Sequence, residues 1–324
     1  MSAAYRIELQ APDISRWKHG NTGIDYVWSF DSGRTGPHVM VQALTHGNEI
    51  CGAIALDWLL ALKPMPAAGR LTLSFANVEA FARFDPHDPD RSRYIDEDYN
   101  RVWADESLFG SRDSLELRRA RQLRSFVDSA DLLLDLHSMH DPCRPIMVCG
   151  ATGRGGEKSA AYAQRLGVPQ DLLIDTGHPS GLRMIERGGF GDPASSRTAV
   201  LIECGQHWEH SSALVAIDTL SRFLAVSGAM SLSQLPADRP QLDPPARQQI
   251  VRVTEAVVAR SSDFRFVRRF QGLEVLAQAG ELIALDGDHA WHAPYDNTVL
   301  VMPSMAHCKP GTTMVRLGRY ETLS

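Results

Sequence analysis

The segment LLLDL at residues 132–136 is almost uninterrupted apolar sequence. A short strand that is apolar on both faces is typical of the centre of a parallel sheet, where helices cover each side. Other short strand-like runs alternate with amphipathic helical segments over roughly the first 230 residues. This alternation predicts an α/β fold whose sheet is mixed, mostly parallel and flanked by helices.

The periodicity of apolar residues assigns elements to this first part of the chain. We expect strands over residues 24–30, 38–44, 70–76, 132–136, 146–149, 182–186 and 198–202. We expect helices over residues 50–62, 115–129, 158–166 and 212–229. Together these elements make up a predicted α/β domain over residues 1–240.

A proline-rich segment follows this domain. Residues 234–247, QLPADRPQLDPPAR, hold four prolines and almost no apolar periodicity, which is typical of a linker. Beyond the linker, turn residues separate short strand-like runs at 250–258, 264–268, 273–276, 282–285, 298–302 and 313–317. We therefore expect a small all-β domain over residues 245–324.

Charge and composition exclude several classes of partner. The 33 basic and 39 acidic residues give a net charge of −6, so a nucleic-acid partner is not expected. The most apolar long segment, residues 213–230, is interrupted by Asp218 and Arg222, so no membrane span is predicted. The expected partner is a small molecule, and the composition is compatible with a monomer or a homo-oligomer.

The cysteines and the N-terminus indicate a cytoplasmic protein. The five cysteines are odd in number and form no CxxC pairs, which fits reduced thiols. The first ten residues, MSAAYRIELQ, lack the basic and apolar regions of a secretory signal peptide. We therefore expect neither export nor disulfide bonds.

One segment does not fit the alternation of strands and helices. Residues 77–103 show no clear periodicity and are rich in charged side chains. A loop of this length inside a compact domain is usually functional or disordered. Its aromatic residues, including Tyr99 and Trp103, favour an ordered loop.

The motif THGNE at residues 45–49 places His46 and Glu49 after a predicted strand and at the start of a predicted helix. Ligands of α/β proteins bind in the crevice at the carboxyl ends of the strands. A histidine and a glutamate three positions apart on one tight turn can both reach a zinc ion, and Gly47 lets the turn close. Alternatively, His46 caps the helix and Glu49 merely interacts with its positive end.

His137 directly follows the central apolar strand, so it also lies at a strand end. If the two strands are neighbours, His137 faces the same crevice as His46 and Glu49. Two histidines and one carboxylate with a fourth position left open are typical of a catalytic zinc site. His140 is an alternative third ligand. Asp135 is placed to form a hydrogen bond with a metal-binding residue without contacting the metal itself.

Glu203 follows the predicted strand at 198–202 and thus lies at a third strand end. A carboxylate beside a metal site can act as general base and then as proton donor to a leaving group. An exposed glutamate at a strand end is the alternative. In the loop at 77–103, Arg93 and Arg101 can bind a carboxylate or stabilise an oxyanion, although a solvated loop of mixed charge would contain the same residues.

Five short fragments occur together in one order along the chain: HGNE at 46–49, NVEAFAR at 77–83, DYNR at 98–101, DLH at 135–137 and IECG at 202–205. In this order they resemble the succinylglutamate desuccinylase/aspartoacylase family, whose catalytic domain is similar to the zinc carboxypeptidases. The resemblance is strong over residues 35–210 and looser beyond them. It implies a zinc-carboxypeptidase-like α/β domain followed by the small β domain.

The resemblance implies a role for each residue of the site. His46, Glu49 and His137 would bind one zinc ion per chain. Glu203 would be the general base that deprotonates the attacking water, and Arg93 would polarise the scissile carbonyl.

The resemblance also implies a reaction and a substrate class. Asn100 and Arg101 would hold a substrate carboxylate, and the reaction would be hydrolysis of the amide bond of an N-acyl amino acid or a similar small anionic amide. The alternatives are a carboxypeptidase-like exopeptidase and a non-catalytic module that binds carboxylates or metals. A cysteine hydrolase using Cys204 and His207 is a further alternative, although residues three apart at a strand end do not readily form such a site.

One departure from the family concerns the far end of the substrate. The arginine that aspartoacylases use for the far carboxylate has no clear counterpart, and Arg183, Arg187 and Arg197 are the candidates. We also expect the C-terminal β domain to narrow the mouth of the site, with Tyr295 or His292 reaching inward.

Overall fold

The computed structural model describes residues 5–305 and 308–321 of the chain. Its strands are β1 (Val27–Asp31), β2 (His38–Ala43), β3 (Arg70–Phe75), β4 (Leu132–Met139), β5 (Ile146–Ala151), β6 (Asp171–Asp175), β7 (Thr198–Gln206), β8 (Gln249–Val258), β9 (Arg265–Phe266), β10 (Glu274–Leu276), β11 (Leu282–Asp286), β12 (His289–His292), β13 (Thr298–Val301) and β14 (Thr313–Glu321). Its α-helices are α1 (Ile50–Ala61), α2 (Val78–Phe81), α3 (Asp105–Leu108), α4 (Leu115–Ser129), α5 (Gly156–Leu166) and α6 (His210–Val226).

Eleven of these strands form one mixed sheet. Their order is β1-β3-β2-β4-β7-β5-β6-β8-β14-β13-β10. β2 pairs in parallel with β3 and β4, and β4 pairs in parallel with β7. β2, β4 and β7 therefore lie side by side, and their carboxyl ends meet at one edge of the sheet, where ligands of α/β proteins bind.

Helices cover both faces of the sheet, which confirms the predicted α/β fold. α1, α5 and α6 pack on one face, in a core that includes Val39 and Leu134. α4 packs on the other face, in a core that includes Met40 and Leu133. Successive residues of β2 and β4 are thus buried on opposite faces, as the apolar run at 132–136 predicts.

One assignment made from the sequence is wrong, and the strands β6 and β12 and the short helices α2 and α3 are missing from the prediction. The predicted strand over residues 182–186 is instead a short 3-10 helix, Met184–Glu186, that follows Arg183. Arg183 binds the carboxylates of Asp175 and Glu186, and the pairing with Glu186 three positions later favours a turn over extended backbone. β6 is missing from the prediction because its sequence, DLLID, holds only three apolar residues between two acidic ones.

The C-terminal β region continues the main sheet. β8 pairs in parallel with β6, and β14, β13 and β10 follow by antiparallel pairing. β12, β11 and β9 form a separate three-stranded sheet, and an apolar core that includes Ile283 and Val315 lies in this region. The proposed boundary between residues 240 and 245 falls between α6 and β8, and the division into two domains stays a prediction.

Two further features bear on the expectations from composition. Among the described residues, no helix combines the length and the apolar character that a membrane crossing requires. All five cysteines are present as free thiols.

Candidate active site

The turn between β2 and α1 carries two of the candidate ligands. Glu49 is the residue before α1, and its side chain makes no capping hydrogen bond to the helix. Its Oε1 lies instead 2.7 Å from Nδ1 of His46, and both side chains are buried. The geometry therefore does not support the alternative in which these residues serve to cap the helix.

His137 lies beside this pair because β2 and β4 are neighbours. Its Nδ1 is 2.9 Å from Oε2 of Glu49, and its imidazole is buried. His46, Glu49 and His137 each offer a ligand atom, and these atoms all lie within 4.8 Å of one another. The structure thus brings together the three residues that the sequence analysis selected as metal ligands.

The far nitrogen of each imidazole contacts a carboxylate. Nε2 of His137 lies 2.8 Å from Asp135 Oδ2, and Nε2 of His46 lies 2.9 Å from Asp98 Oδ1. Asp135 in turn accepts a hydrogen bond from Thr45 Oγ1 at 2.8 Å. Carboxylates in this position orient metal-binding histidines and make them stronger ligands.

This arrangement leaves acceptor atoms facing one another. If Nε2 of His137 donates its proton to Asp135, Nδ1 of His137 presents a lone pair to Oε2 of Glu49. Within the part of the chain that the structure describes, Oε2 of Glu49, Oε2 of Glu203 and Oδ1 of Asn48 are buried without a hydrogen-bond partner. A cation or a proton relieves such repulsion. Because two nitrogens and a carboxylate are ligands that zinc prefers, the residues present fit that ion.

The charges of these residues depend on one another. Burial raises the pKa of Glu49, but His46 and His137 outweigh burial and hold that pKa well below its usual value. Burial lowers the pKa of His137, but Asp135 and Glu49 outweigh burial and hold that pKa well above 6.5. Glu49 is therefore ionised, and His137 carries a proton whenever no cation binds.

A buried acidic side chain orders the loop at residues 77–103. Glu116, in α4, accepts hydrogen bonds from the backbone N–H groups of residues 95–97 at 2.8, 3.1 and 3.3 Å. It also accepts a hydrogen bond from Asn77 Nδ2 at 3.0 Å. Four hydrogen bonds to one buried carboxylate offset the cost of burying it and fix the loop next to the histidines.

Gly47 connects this loop to the turn that carries His46. Its N–H donates a hydrogen bond to the carbonyl oxygen of Arg93 at 3.0 Å. A Cβ atom at residue 47 would lie 2.3 Å from the carbonyl oxygen of Ser92 and 2.5 Å from the backbone nitrogen of Phe81. Glycine is therefore required for the close approach of the loop to the turn.

Arg93 lies beside the histidines and the glutamate. Its Nη2 is 3.0 Å from His46 Nε2 and 3.4 Å from Asp98 Oδ2, and its Nη1 is 3.5 Å from Glu49 Oε1. Burial lowers the pKa of Arg93, but Asp98 and Glu49 raise it above its ordinary value, so the guanidinium stays charged. A fixed positive charge in this place can stabilise negative charge on a reacting oxygen.

Glu203 faces the same cluster from the neighbouring strand. It lies in β7 and is the register partner of His137 in β4. Burial is the main cause that raises the pKa of Glu203 to about 8, while His137 opposes the rise and Glu49 adds to it. A carboxyl group with a pKa near neutrality can both accept and donate a proton, which suits general acid–base chemistry.

A cavity of about 620 Å³ opens in front of this cluster. Its wall includes every residue of the predicted site, namely His46, Glu49, Arg93, Asn100, Arg101, His137 and Glu203. Asn100 accepts a hydrogen bond at Oδ1 from the backbone N–H of Met184, and Arg101 donates one to the carbonyl oxygen of Asn100. A cavity of this size is typical of small-molecule sites.

Two alternatives considered from the sequence lack support in the geometry. His140 is not part of the metal-site cluster, because its imidazole contacts two other carboxylates, at 3.2 and 3.5 Å. Burial raises the pKa of the Cys204 thiol well above its usual value, so this thiol stays protonated. His207 forms a hydrogen bond with Ser138 at 2.8 Å rather than activating the thiol.

The three arginines considered for a far carboxylate are bound by the protein itself. Arg183 binds two buried carboxylates at 2.7–3.0 Å. Arg187 binds two aspartates and a backbone carbonyl at 2.6–3.1 Å. Arg197 donates to two backbone carbonyls, at 2.7 and 2.8 Å. Of the three, Arg183 alone is in the cavity wall.

The expectation that Tyr295 or His292 reaches into the site is wrong. The hydroxyl of Tyr295 lies 2.6 Å from Thr254 Oγ1 and its ring packs on Arg319, which holds it away from the cavity wall. His292 is exposed to solvent. The C-terminal β region contributes other residues to the wall, among them Arg316 of β14.

The sequence analysis missed three contributors to the site: Asp98, Glu116 and Arg316. Asp98 occurs in the DYNR fragment, but its contact with His46 joins residues 52 positions apart. Glu116 lies at the start of a helix, where an acidic residue is expected in any case. The DYNR fragment contains Asp98 and thus already pointed to this residue. The spacing of residues along the chain does not point to Glu116 or Arg316.

The succinylglutamate desuccinylase/aspartoacylase catalytic domain matches residues 35–221, more than half of the 324-residue chain. The chain belongs to this family. The resemblance inferred from the five fragments is therefore confirmed. Membership of the desuccinylase/aspartoacylase family implies a hydrolase that acts on amide bonds.

Curated and solved relatives agree with this assignment. A probable aspartoacylase of Parasynechococcus marenigrum is 38% identical over 107 residues, which are 31% of this chain and 33% of that protein. The chain therefore matches about a third of the length of that relative.

Several solved structures share the fold. The succinylglutamate desuccinylase of Vibrio cholerae superposes with a TM-score of 0.67 at 16% identity, over 91% of this chain and 85% of that one. The enzyme of the same name from Chromobacterium violaceum gives 0.64 at 20% identity, over 93% and 90%. The ectoine utilization protein of Ruegeria pomeroyi gives 0.62 at 16% identity, over 93% of both chains. The desuccinylase/aspartoacylase fold thus extends over nearly the whole chain.

Proposed function

We propose that the chain is a zinc-dependent hydrolase that cleaves the amide bond of an N-acyl amino acid or a similar small carboxylate-bearing amide. The convergence of His46, Glu49 and His137 beside Glu203 at the wall of one cavity carries this proposal. Family membership supports amide hydrolysis, and the donor set supports one zinc ion per chain. The free thiols are consistent with action in the cytoplasm.

Each of these cavity residues has a separate role in the proposed hydrolysis. His46, Glu49 and His137 would bind zinc, and the chemistry that zinc supplies when bound is Lewis acidity, which polarises a scissile carbonyl and makes water more acidic. Glu203 accepts the proton of the attacking water and delivers it to the leaving nitrogen. Arg93 stabilises negative charge on the amide oxygen, and loss of one such donor costs about 2.7–4 kcal/mol of activation free energy.

A hydrolysis screen tests the proposed function. The substrates are N-acetyl, N-succinyl and other N-acyl amino acids, with dipeptides alongside, and each is assayed with and without a chelator. We expect release of the free amine from at least one N-acyl amino acid, loss of this activity with the chelator, and recovery with zinc. Faster cleavage of dipeptides would favour the exopeptidase alternative, and binding without turnover would favour the binding module.

Asn100 and Arg101 are proposed to hold a carboxylate of the small anionic substrate. We expect Arg101→Ala to raise KM by about 10- to 150-fold, the effect of losing a hydrogen bond to a charged group, with a smaller change in kcat. The measurement compares an N-acyl amino acid with its carboxamide, which lacks the carboxylate and should be insensitive to the variant. Arg118→Ala, on an exposed face of α4, is the control. An unchanged KM would contradict this anchor.

Zinc binding should release protons near neutral pH. Asp135 and Glu49 hold the pKa of His137 well above 6.5 against the effect of burial, so the zinc-free protein keeps a proton there at pH 7. A zinc ligand must be neutral imidazole, so binding displaces that proton and the apparent affinity falls as pH is lowered, by about tenfold per unit. Calorimetric titration with zinc in two buffers of different ionisation enthalpy measures the release. Identical heats in both buffers would contradict the expectation.

A further inference from the structure

His207 is a buried residue of the cavity wall to which the proposed chemistry assigns no role. It directly follows β7, and the register of β7 with β4 pairs Gln206 with Met139. The backbone N–H of His207 donates to the carbonyl oxygen of Met139 at 2.8 Å. His207 therefore lies at the same edge of the sheet as His137 and Glu203.

The imidazole of His207 is held in a fixed orientation. Its Nδ1 lies 2.8 Å from Oγ of Ser138, which is itself buried. The ring of Trp208 packs against it at 5.3 Å between centroids, and the ring of His140 makes an edge contact at 6.2 Å. A hydrogen bond at one nitrogen and two ring contacts leave the imidazole little freedom to turn.

The second ring nitrogen of His207 is open to the cavity. Among residues 5–305 and 308–321, no hydrogen-bond partner is found for Nε2. Nε2 is nevertheless not one of the buried polar atoms that lack a partner in that part of the chain, so it is accessible. Because the cavity is the space that this buried side chain lines, Nε2 is available to a molecule bound there.

The hydrogen bond with Ser138 decides which ring nitrogen carries a proton. Burial lowers the pKa of His207 to about 3, although Glu49 opposes this effect, so the imidazole is neutral and has one N–H. Burying the Ser138 hydroxyl without an acceptor for its proton would be costly. Nδ1 is a stronger acceptor than the thiol of Cys51, the other neighbour of this hydroxyl. Ser138 therefore donates to Nδ1, and Nε2 carries the proton.

We propose that Nε2–H of His207 donates a hydrogen bond to the oxygen of the scissile amide, as a second donor beside Arg93. Glu49 and Arg93 are both among the electrostatic neighbours of His207, which is consistent with a position near the reacting bond. The inference rests on the proposed function and adds a catalytic residue to it. Ser138 is then a positioning residue, because it acts through His207.

The proposed role requires no proton transfer by His207. When the oxygen of water bonds to the carbonyl carbon, Glu203 accepts a proton and an electron pair moves onto the carbonyl oxygen. The hydrogen bond from Nε2–H stabilises this negative charge. When the bond between carbon and nitrogen breaks, the electron pair returns to the carbonyl and Glu203 delivers the proton to the nitrogen. A neutral imidazole whose pKa is far below neutrality suits a donor that stays unchanged throughout.

Three variants test the contact with the amide oxygen. We expect His207→Phe to lower kcat by about 100- to 1,000-fold, the effect of removing one such donor, with KM changed by less than about threefold. His207→Gln should stay within about tenfold of the unmodified enzyme, because its side-chain amide can donate from nearly the same place. His210→Gln is the matched control, since His210 is exposed and is outside the cavity wall. Zinc content should stay near one ion per chain in all three.

A spectroscopic measurement separates this inference from the proposed function. Long-range correlation of ¹H and ¹⁵N in protein labelled at histidine shows which ring nitrogen carries the proton, and it requires no turnover. The His207 signals are assigned by their loss in His207→Gln. We expect the proton on Nε2 near neutral pH. If the protein hydrolyses none of the N-acyl amino acids, the proposed function fails, while this measurement still tests the arrangement of Ser138 and His207.

The Ser138→Ala variant tests the positioning role. Without the hydroxyl, the proton of His207 is shared between the two nitrogens, so we expect signals of both tautomers. The fraction that can donate from Nε2 falls, and kcat should drop by about 2- to 10-fold with KM and zinc content retained. An unchanged kcat in Ser138→Ala would contradict the proposal even if His207→Phe does not fold, as circular dichroism would show.

Other results would overturn the inference about His207 directly. One is a kcat of folded His207→Phe within about threefold of that of the unmodified enzyme. Another is an equal loss in His207→Phe and His207→Gln, which would indicate a packing role. Loss of turnover that merely follows loss of zinc, or a proton found on Nδ1, would also contradict the proposed contact.

Discussion

The Glu203→Gln variant should retain zinc and lose turnover, with kcat lowered by about 100- to 10,000-fold. The amide of glutamine has nearly the shape of the carboxyl group but cannot accept the proton of the attacking water. Glu203 lies opposite His137 on the next strand and is not one of the three proposed ligands. Zinc content should therefore stay near one ion per chain, and metal analysis and kcat from the same preparation measure both quantities.

The pH profile of the unmodified enzyme tests the same role. Burial raises the pKa of Glu203 to about 8 in the zinc-free protein, so its protonated form is populated at neutral pH. A protonated carboxyl group cannot act as a base, so kcat/KM should fall by about tenfold per pH unit on the acidic side of this pKa. A bound cation moves this acidic limb to lower pH but does not reverse its direction. The residual activity of Glu203→Gln should lack the limb.

Glu209→Gln is the control for this variant. Glu209 lies six residues further along the chain, is exposed and is outside the cavity wall. Its replacement should leave both zinc content and kcat unchanged. Undiminished turnover in Glu203→Gln would remove the proposed base, and loss of zinc from this variant would instead indicate that Glu203 is a ligand.

The centre of the fold and the metal-site cluster could be predicted because both depend on local patterns. The apolar run at 132–136 required burial on two faces, and β4 has helices on both sides. The sequence placed His46, His137 and Glu203 just after three strands. β4 and β7 in fact continue to Met139 and Gln206, so His137 and Glu203 lie within their strands near the carboxyl ends, which strand pairing brings together. The site could be predicted from the sequence because strand ends that meet at one edge of a sheet bring their side chains together.

The rest of the site depends on contacts that no local pattern encodes. Glu116 holds the loop before the DYNR fragment from a helix about 20 residues away, and Arg316 reaches the cavity from the last described strand. Arg183 was a reasonable anchor by residue type, but Asp175 and Glu186 bind it in the folded chain. Whether an arginine is free to bind a ligand depends on which carboxylates the tertiary structure places beside it. No local pattern in the sequence indicates these neighbours.

The Glu49→Gln variant should lose zinc itself. Oε1 of Glu49 faces Nδ1 of His46 and Oε2 faces Nδ1 of His137, so this one carboxylate lies between both histidines. Glutamine removes the only negative charge among the three proposed ligands. Replacement of partners outside the ligands already costs about 10- to 100-fold in metal affinity, so we expect the loss here to exceed about 100-fold. Competition with a chromogenic zinc chelator measures the affinity.

Two further variants test whether zinc affinity depends on the charge of a ligand or on negative charge elsewhere in the protein. Glu79→Gln, on the exposed side of α2, should leave zinc affinity unchanged. Asp135→Asn removes a negative charge that acts through Nε2 of His137, so it should weaken zinc binding by about 10- to 100-fold, less than Glu49→Gln. A larger loss in Asp135→Asn than in Glu49→Gln would contradict Glu49 as a ligand. Because both residues are buried and both changes replace an acid by its amide, this ranking reports their positions relative to the ion rather than a general effect of removing a carboxylate.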